Sequence, residues 1–455
     1  METGATVSCD PMAWFFGGLI SNPSMMIYGA PGLGKSSLAE RLILGLAYTG
    51  IVPLVLGDLK PDYSRLIEAL GGKVVRLGEG QRLNVLDQGS LLEAADLIGG
   101  EKGDSLRYIA QQRAANLVVT LLQLLRKGTL EDWESALVSR AVNHLFDSRR
   151  AAGITLPPVL EELCELLADP TEELMTCILV SNLTEYQEAA KKLLLSMNSL
   201  IGDTFGKIFN GQTTQRLPLD APAVSIDISA LHQQSDDLLA AVLLATWSEG
   251  YASVEAANAL ADAGKGPQKH YLIVMDEMWR PLRIGGAQLV DRLDGLTRLN
   301  RNEGVGNLYI AHTPKDQKSM ASQADAVKAL GFTERSGIVA TAGLAKEDLR
   351  ALSDVKPMTE KEIDRVAGWN TPPGWAPKLV RDTKTGELRP TPPPGAGKFL
   401  IKVGDRAGIQ VQVKLTQTEL DLHDTNARWV GGERENKNSR TEAAHALVME
   451  GTNRG

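Results

Sequence analysis

Residues 29–36 read Gly29-Ala30-Pro31-Gly32-Leu33-Gly34-Lys35-Ser36, which places a lysine and a hydroxyl directly behind a run of glycines. Glycines let a loop wrap an anion with its backbone N–H groups, and a helix starting at the lysine aims its positive end at the same anion. With this spacing the lysine reaches the β- and γ-phosphates of a nucleotide and the hydroxyl ligates Mg²⁺. The expected ligands are therefore ATP and Mg²⁺. Gly29, Ala30, Pro31, Gly32, Leu33, Gly34, Lys35, Ser36 and Ser37 form the cradle, and Ser36 is the first metal-binding candidate.

A second group follows the apolar run His270-Tyr271-Leu272-Ile273-Val274-Met275, which ends on Asp276-Glu277. A buried strand of this kind delivers two carboxylates at its C-terminal tip, the edge where parallel sheets bind ligands. Asp276 would hold Mg²⁺ through water, and Glu277 would polarise the water that attacks a phosphoryl group. Adjacent Asp and Glu point to ATPases with an extra strand between the phosphate-loop strand and the Asp-Glu strand. Asn307–Ala311 is the candidate for that strand, and it presents His312-Thr313 at its tip, where His312 would sense the γ-phosphate. Arg301 is the first choice for an arginine acting across a subunit interface, followed by Arg298 and Arg335. Asp58 is read as more structural than catalytic, a cap for Pro61-Asp62-Tyr63. His144, His232, His423 and His445 have no metal-ligand spacing.

Positioning these groups requires a strand before the loop, Met25–Tyr28, and an apolar helix after it, Ser36–Tyr48. Strand–helix alternation then runs through Val52–Leu56, Leu66–Leu70, Lys73–Leu77 and Leu83–Leu86, the pattern of a parallel α/β sheet. Residues 91–200 change character, being rich in Leu, Ala, Glu and Arg at helical spacing, and read as a helical insertion. The sheet resumes with strand Ala223–Ile228, helix Leu238–Ser253, strand His270–Met275 and helix Leu289–Leu299. Lys398–Val403 and Gly408–Leu415 read as a hairpin. The expected divisions are 1–90, the first part of a RecA-like core; 91–200, the helical insertion; 201–430, the remainder of the core; and 431–455, a polar tail expected to be disordered.

The chain has 455 residues, 43% hydrophobic and 23% charged, which is ordinary globular composition. A net charge of −8 gives no global basic field for nucleic acid, although a DNA motor can confine its positive charge to a channel. Cys9, Cys164 and Cys177 lie far apart and fit a reduced, cytoplasmic chain. No signal-peptide pattern occurs at the N-terminus, and apolar runs fall short of the ~20 residues of a spanning helix.

With these residues placed, the sequence resembles the conjugation and type IV secretion ATPases of the VirB-four class, within the FtsK–HerA motor family. The resemblance rests on Gly29–Ser36, on Gly57-Asp58-Leu59-Lys60-Pro61-Asp62-Tyr63 through Leu70-Gly71-Gly72, and on Arg76-Leu77-Gly78 with Leu83-Asn84-Val85-Leu86-Asp87. It continues in Phe209-Asn210-Gly211-Gln212-Thr213, in Met275-Asp276-Glu277-Met278-Trp279, and in Arg298–Gly304 leading to Ala311-His312, covering roughly residues 10–350. The family usually has Gln where His312 stands and often Lys where Asn302 stands. Many members also carry an N-terminal domain ahead of the ATPase, whereas the phosphate loop here begins at residue 29.

The resemblance implies a RecA-like P-loop ATPase that forms a hexameric ring with sites between subunits. Its expected role is to energise conjugative transfer or type IV secretion, working with channel proteins at the inner face of the membrane and with DNA as one cargo. Two alternatives stay open: a coupling-type DNA translocase, and an assembly scaffold that hydrolyses slowly. A small-molecule kinase is disfavoured, because an Asp-Glu pair suits activation of water.

Overall fold

The computed structural model describes residues 4–78, 80–277, 304–314, 330–372, 374–376, 378–381 and 388–422. Arg298, Arg301, the expected helix Leu289–Leu299 and the expected polar tail lie outside the described residues.

Strands β1 (Ser24–Tyr28), β2 (Val52–Asp58), β3 (Lys73–Arg76), β4 (Val224–Asp227), β5 (Tyr271–Met275), β6 (Val305–Ala311) and β7 (Ile338–Thr341) build the sheet. A short hairpin, β8 (Leu379–Arg381) with β9 (Leu388–Pro390), stands apart, and β10 (Lys398–Val403) with β11 (Ile409–Gln412) completes the sheet. The nine strands run in the order β11-β10-β7-β1-β6-β5-β2-β4-β3. From β7 to β3 every neighbour pairs in parallel, and β10 and β11 join antiparallel at the far edge. Every residue of β1, β2, β5, β6 and β7 is buried, as expected of central strands covered on both faces. The expected α/β class, a mostly parallel RecA-like sheet flanked by helices, is what the chain adopts. As the Asp-Glu adjacency implied, β6 lies between β1 and β5.

Helix Asp236–Asp262 packs on β2, and the contact is close because Gly250 has no side chain: a Cβ there would meet Leu56 Cδ1 at 2.4 Å. Between Leu56 and Asp58 the register of β2 on β4 shifts, a bulge that Gly57 permits with φ 105. At the bulge the Trp247 indole N–H donates to the Leu56 carbonyl at 2.8 Å. Beyond β3 the segment Leu83–Leu86 does not continue the strand–helix alternation. Its Asn84 carboxamide bonds the Leu86 N–H at 3.0 Å and the Pro158 carbonyl at 2.9 Å, holding the chain in a turn.

Helices Gly89–Ile98, Gly100–Arg126, Asp132–Ala151, Leu160–Ala168, Glu172–Cys177 and Leu183–Ile201 follow. Leu117, Leu121, Leu137, Leu163 and Leu193 share one buried cluster with Leu54 of β2 and Trp247 of helix Asp236–Asp262. An Arg126–Glu134 fork, with N–O distances of 2.7 and 2.8 Å, ties the second helix of the series to the third. A separate C-terminal unit begins at Leu415; its described part is the helix Gln417–Leu422, where the Glu419 carboxylate accepts from the Thr416 N–H at 2.7 Å.

Glu249 lies on helix Asp236–Asp262 and is half-buried. Burial, and the nearby Asp87 carboxylate, push its pKa up to about 8 against the opposing pull of Arg216 and Arg113. The folded chain therefore binds a proton that the unfolded chain releases above its ordinary range, so stability falls as pH rises toward 8. Chemical denaturation at pH 5, 6.5 and 8 checks this: Glu249→Gln should flatten the decline and be more stable than wild type at pH 8. An unchanged slope would mean Glu249 is ionised in the fold.

Candidate nucleotide-binding site

Because β1, β2, β5, β6 and β7 are parallel, their C-terminal ends meet at one edge of the sheet. Gly29 leaves β1 there, and its N–H donates to the His312 carbonyl at 3.1 Å, while the Ala30 N–H donates to the Gly343 carbonyl at 3.1 Å. The root of the loop is thus tied to the ends of both neighbouring strands. Helix Lys35–Tyr48 begins behind Gly34, whose φ of 95 is a left-handed conformation that glycine adopts without strain. No side chain caps this helix start, so the N–H groups of its first turn are available to an anion.

Lys35 is buried and folded back on its own loop. Its ammonium donates to the carbonyls of Gly29 at 2.8 Å and Ala30 at 3.3 Å, and lies 3.1 Å from His312 Nδ1. The other ring nitrogen of His312 is 3.5 Å from Glu277 Oε1. The ring therefore bridges the loop lysine and the Asp-Glu pair: Nδ1 accepts from Lys35, which leaves the Nε2 proton facing the carboxylate. Lys35, His312 and Glu277, placed together by sequence reasoning, do meet, and Ser36, Ser37 and Asp276 sit at the same edge. Arg335 does not: it precedes β7, at the sheet's opposite end, with its guanidinium 5.3 Å from the centre of the Phe332 ring.

Three residues that sequence reasoning used only as a family signature also enter the site. Lys60 donates to Glu277 Oε1 at 3.0 Å, the Tyr63 hydroxyl donates to Asp276 Oδ2 at 3.0 Å, and the Ser36 hydroxyl lies 3.4 Å from Asp62 Oδ2. Asp58 anchors their segment by accepting from the N–H groups of Asp62 at 3.0 Å and Tyr63 at 2.9 Å. Its expected role as a cap matches that geometry. The signal for the other three was a charged and aromatic run behind a strand that ends at the phosphate edge.

Negative charge is in excess here. Burial, opposed by the Tyr63 N–H and reinforced by Asp62 and Asp227, lifts Asp58 to about 7. Burial and then Asp276 lift Asp62 to about 6, and burial and Glu277 lift Asp276. For Glu277 burial also works upward, but the His312 hydrogen bond and the Lys60 charge outweigh it and hold the carboxyl at about 2. Glu277 is thus a firm hydrogen-bond acceptor, suited to orienting a water. Carboxyls that raise one another's pKa form the surroundings a divalent cation would relieve, and the Ser36 hydroxyl and Asp276 oxygens are the hard donors Mg²⁺ takes. The residues present fit that ion, which needs only one or two protein oxygens when phosphates and waters complete its shell.

Fold and site together define an α/β protein with a glycine-rich P-loop at the C-terminal edge of its parallel strands and a strand inserted between the loop strand and the Asp-Glu strand. The structure of VirB4 from Thermoanaerobacter pseudethanolicus shares this fold over 88% of this chain and 91% of that one, with a TM-score of 0.64 and 16% sequence identity. The bacterial conjugative coupling protein TrwB, in a form named TrwBdeltaN70, overlaps less well, with a TM-score of 0.47 at 13% identity over 90% of this chain and 86% of that one. TrwB in complex with the ATP analogue ADPNP gives 0.48 at 14% identity, over 87% and 86%. The sequence matches no protein-family model and no curated protein.

Lys35→Ala removes the only side-chain cation of the loop itself. Titration with a fluorescent ATP analogue should show affinity lower by at least about tenfold, one charge-assisted contact's worth. Unchanged affinity would place the phosphates elsewhere.

Proposed function

We propose that this chain is an ATP-hydrolysing motor of the VirB-four class that energises conjugative DNA transfer or type IV secretion. The observation that carries the proposal is the convergence of Lys35, Ser36, Asp276, Glu277 and His312 on one sheet edge, in a fold shared with VirB4. The phosphates of ATP lie on the loop of residues 29–37, and Lys35 turns from the carbonyls of Gly29 and Ala30 to meet them. Ser36 and Asp276 would hold Mg²⁺, Asp276 through water, and the ion would neutralise charge on the phosphates. Glu277 orients the attacking water, with its anionic form secured by Lys60 and His312. Loss of the γ-phosphate lets Lys35 return to His312, so that the ring reports the state of the nucleotide to Glu277.

Arg301 is assigned to act on a neighbouring subunit's nucleotide. A ring, hexameric in this class, would bring that arginine to the neighbouring site. The stretch 91–200 serves as a helical subdomain on the ATPase core formed by 1–90 and 201–430. Among the described residues no helix is long and apolar enough to cross a membrane. The proposed location is the cytoplasmic face of the membrane, against the channel proteins of the transfer machine, with DNA or protein as cargo.

Glu277→Gln should bind ATP as wild type does and hydrolyse it about 100-fold more slowly, the lower end of what a positioned acid–base group contributes. Turnover at the wild-type rate would remove Glu277 from the reaction. Arg301→Ala should bind nucleotide normally and lose the rise in specific activity that wild type shows with protein concentration. Specific activity of wild type that is flat from nanomolar to micromolar protein would contradict shared sites.

A further inference from the structure

Three residues just beyond β2 touch Glu277, Asp276 and the Ser36 hydroxyl, the acidic and hydroxyl groups assigned to the reaction. Lys60 is 3.0 Å from Glu277, Tyr63 is 3.0 Å from Asp276, and Asp62 is 3.4 Å from the Ser36 hydroxyl. Their backbone is fixed independently of those contacts. The Gly57 bulge shifts the end of β2, and the Asp58 carboxylate then accepts two consecutive N–H groups, from Asp62 and Tyr63. The Ser64 hydroxyl adds a third contact to Asp58 at 3.4 Å. β2 lies directly beside β5, so a turn at the tip of one strand reaches the acidic pair at the tip of the other.

We propose that Asp58–Tyr63 is a positioning clip that fixes Asp276 and Glu277 relative to the phosphate loop, with Tyr63 setting the metal-side carboxylate and Lys60 setting the water-side one. The proposal rests on the ATPase reading above and deepens it by giving Tyr63 and Lys60 separate positioning roles. Both Asp276 oxygens are engaged in this arrangement: Oδ2 by the Tyr63 hydroxyl and Oδ1 by the Glu277 N–H at 2.8 Å. That leaves the carboxylate one orientation from which to meet a hydrated ion, as outer partners of metal-binding carboxylates do. Glu277 itself has φ 54, a left-handed conformation that costs a non-glycine residue free energy and persists only when its surroundings hold it. The Lys60 ion pair is one such hold. Because the Lys60 side chain is 59% exposed and the Glu277 side chain only 8%, the lysine is anchored through the carboxylate it steadies and contributes little to the core. In the clip both residues act through the acidic pair.

The two halves of the clip separate by experiment, using the full-length chain. Binding of a fluorescent ADP analogue is measured with excess EDTA and across a Mg²⁺ titration. Tyr63→Phe should bind the analogue as wild type does in EDTA, yet need about tenfold more Mg²⁺ to reach the metal-dependent enhancement, in line with the loss of an outer partner. For Lys60→Met, kcat should fall about tenfold with KM and the Mg²⁺ midpoint unchanged, and Lys60→Arg should recover most of it. A Mg²⁺ midpoint for Tyr63→Phe equal to wild type, or a Lys60→Met enzyme with unchanged kcat, overturns the clip. A change in EDTA binding equal to that in Mg²⁺ would instead mark Tyr63 as a support of the loop and also overturn it. Failure of wild type to bind or hydrolyse ATP would sink the ATPase reading itself, a result distinct from all of these.

Discussion

Parallel pairing of β1 with β6 and β7, and of β6 with β5, is the constraint on which the site depends. In a parallel sheet every strand ends at the same edge, so residues nearly three hundred positions apart arrive together without any long-range contact selecting them individually. Tyr28 stands opposite Ala311 in the register, which puts Gly29 and His312 side by side, and Met275 stands opposite Tyr309 on the other flank of β6. A slip of one residue in either pairing would turn every side chain of the strand to the other face and separate Lys35 from the Asp-Glu pair. The fully buried strands make such a slip costly.

Electrostatics then decides what the edge does without ligand. The loop lysine spends its charge on backbone carbonyls and on His312, and Glu277 is held anionic by His312 and Lys60. For Asp58, Asp62 and Asp276 burial and neighbouring carboxylates win: Asp62 and Asp227 act on Asp58, Asp276 acts on Asp62 and Glu277 acts on Asp276, and the pull of Lys60 on Asp62 and Asp276 does not offset them. Among the described residues, Lys60 and His312 contact Glu277 directly, whereas Asp276 is held by the Tyr63 hydroxyl. In the proposed ATPase a nucleotide with its metal would complete that distribution: the phosphates would draw Lys35 off its carbonyls, and the cation would relieve the carboxylates.

The phosphate loop and the Asp-Glu pair were legible because each is a contiguous motif next to an apolar strand, and the strand alone fixes where it points. The inserted position of β6 followed from the adjacency of the acids. The helix expected at Leu238–Ser253 extends to Asp262, since alanines carry it past the last large apolar residues. Leu83–Leu86 was misjudged because its apolar pattern suits a strand while the Asn84 carboxamide dictates a turn. Lys60, Asp62 and Tyr63 escaped notice as chemical groups for a different reason. Their partners lie more than two hundred residues away for Lys60 and Tyr63, and the contact exists only because β2 is the neighbour of β5. Strand order is a property of the whole sheet, and no local pattern carries it.

The account turns on Lys35 leaving its loop for a phosphate. A structure of the chain with Mg²⁺ and a non-hydrolysable ATP analogue tests this directly. The account predicts Lys35 Nζ bonded to the analogue's terminal phosphates and no longer to Gly29, with the Ser36 hydroxyl turned from Asp62 to the metal. An analogue bound elsewhere, with Lys35 still on the Gly29 carbonyl and His312, would contradict it.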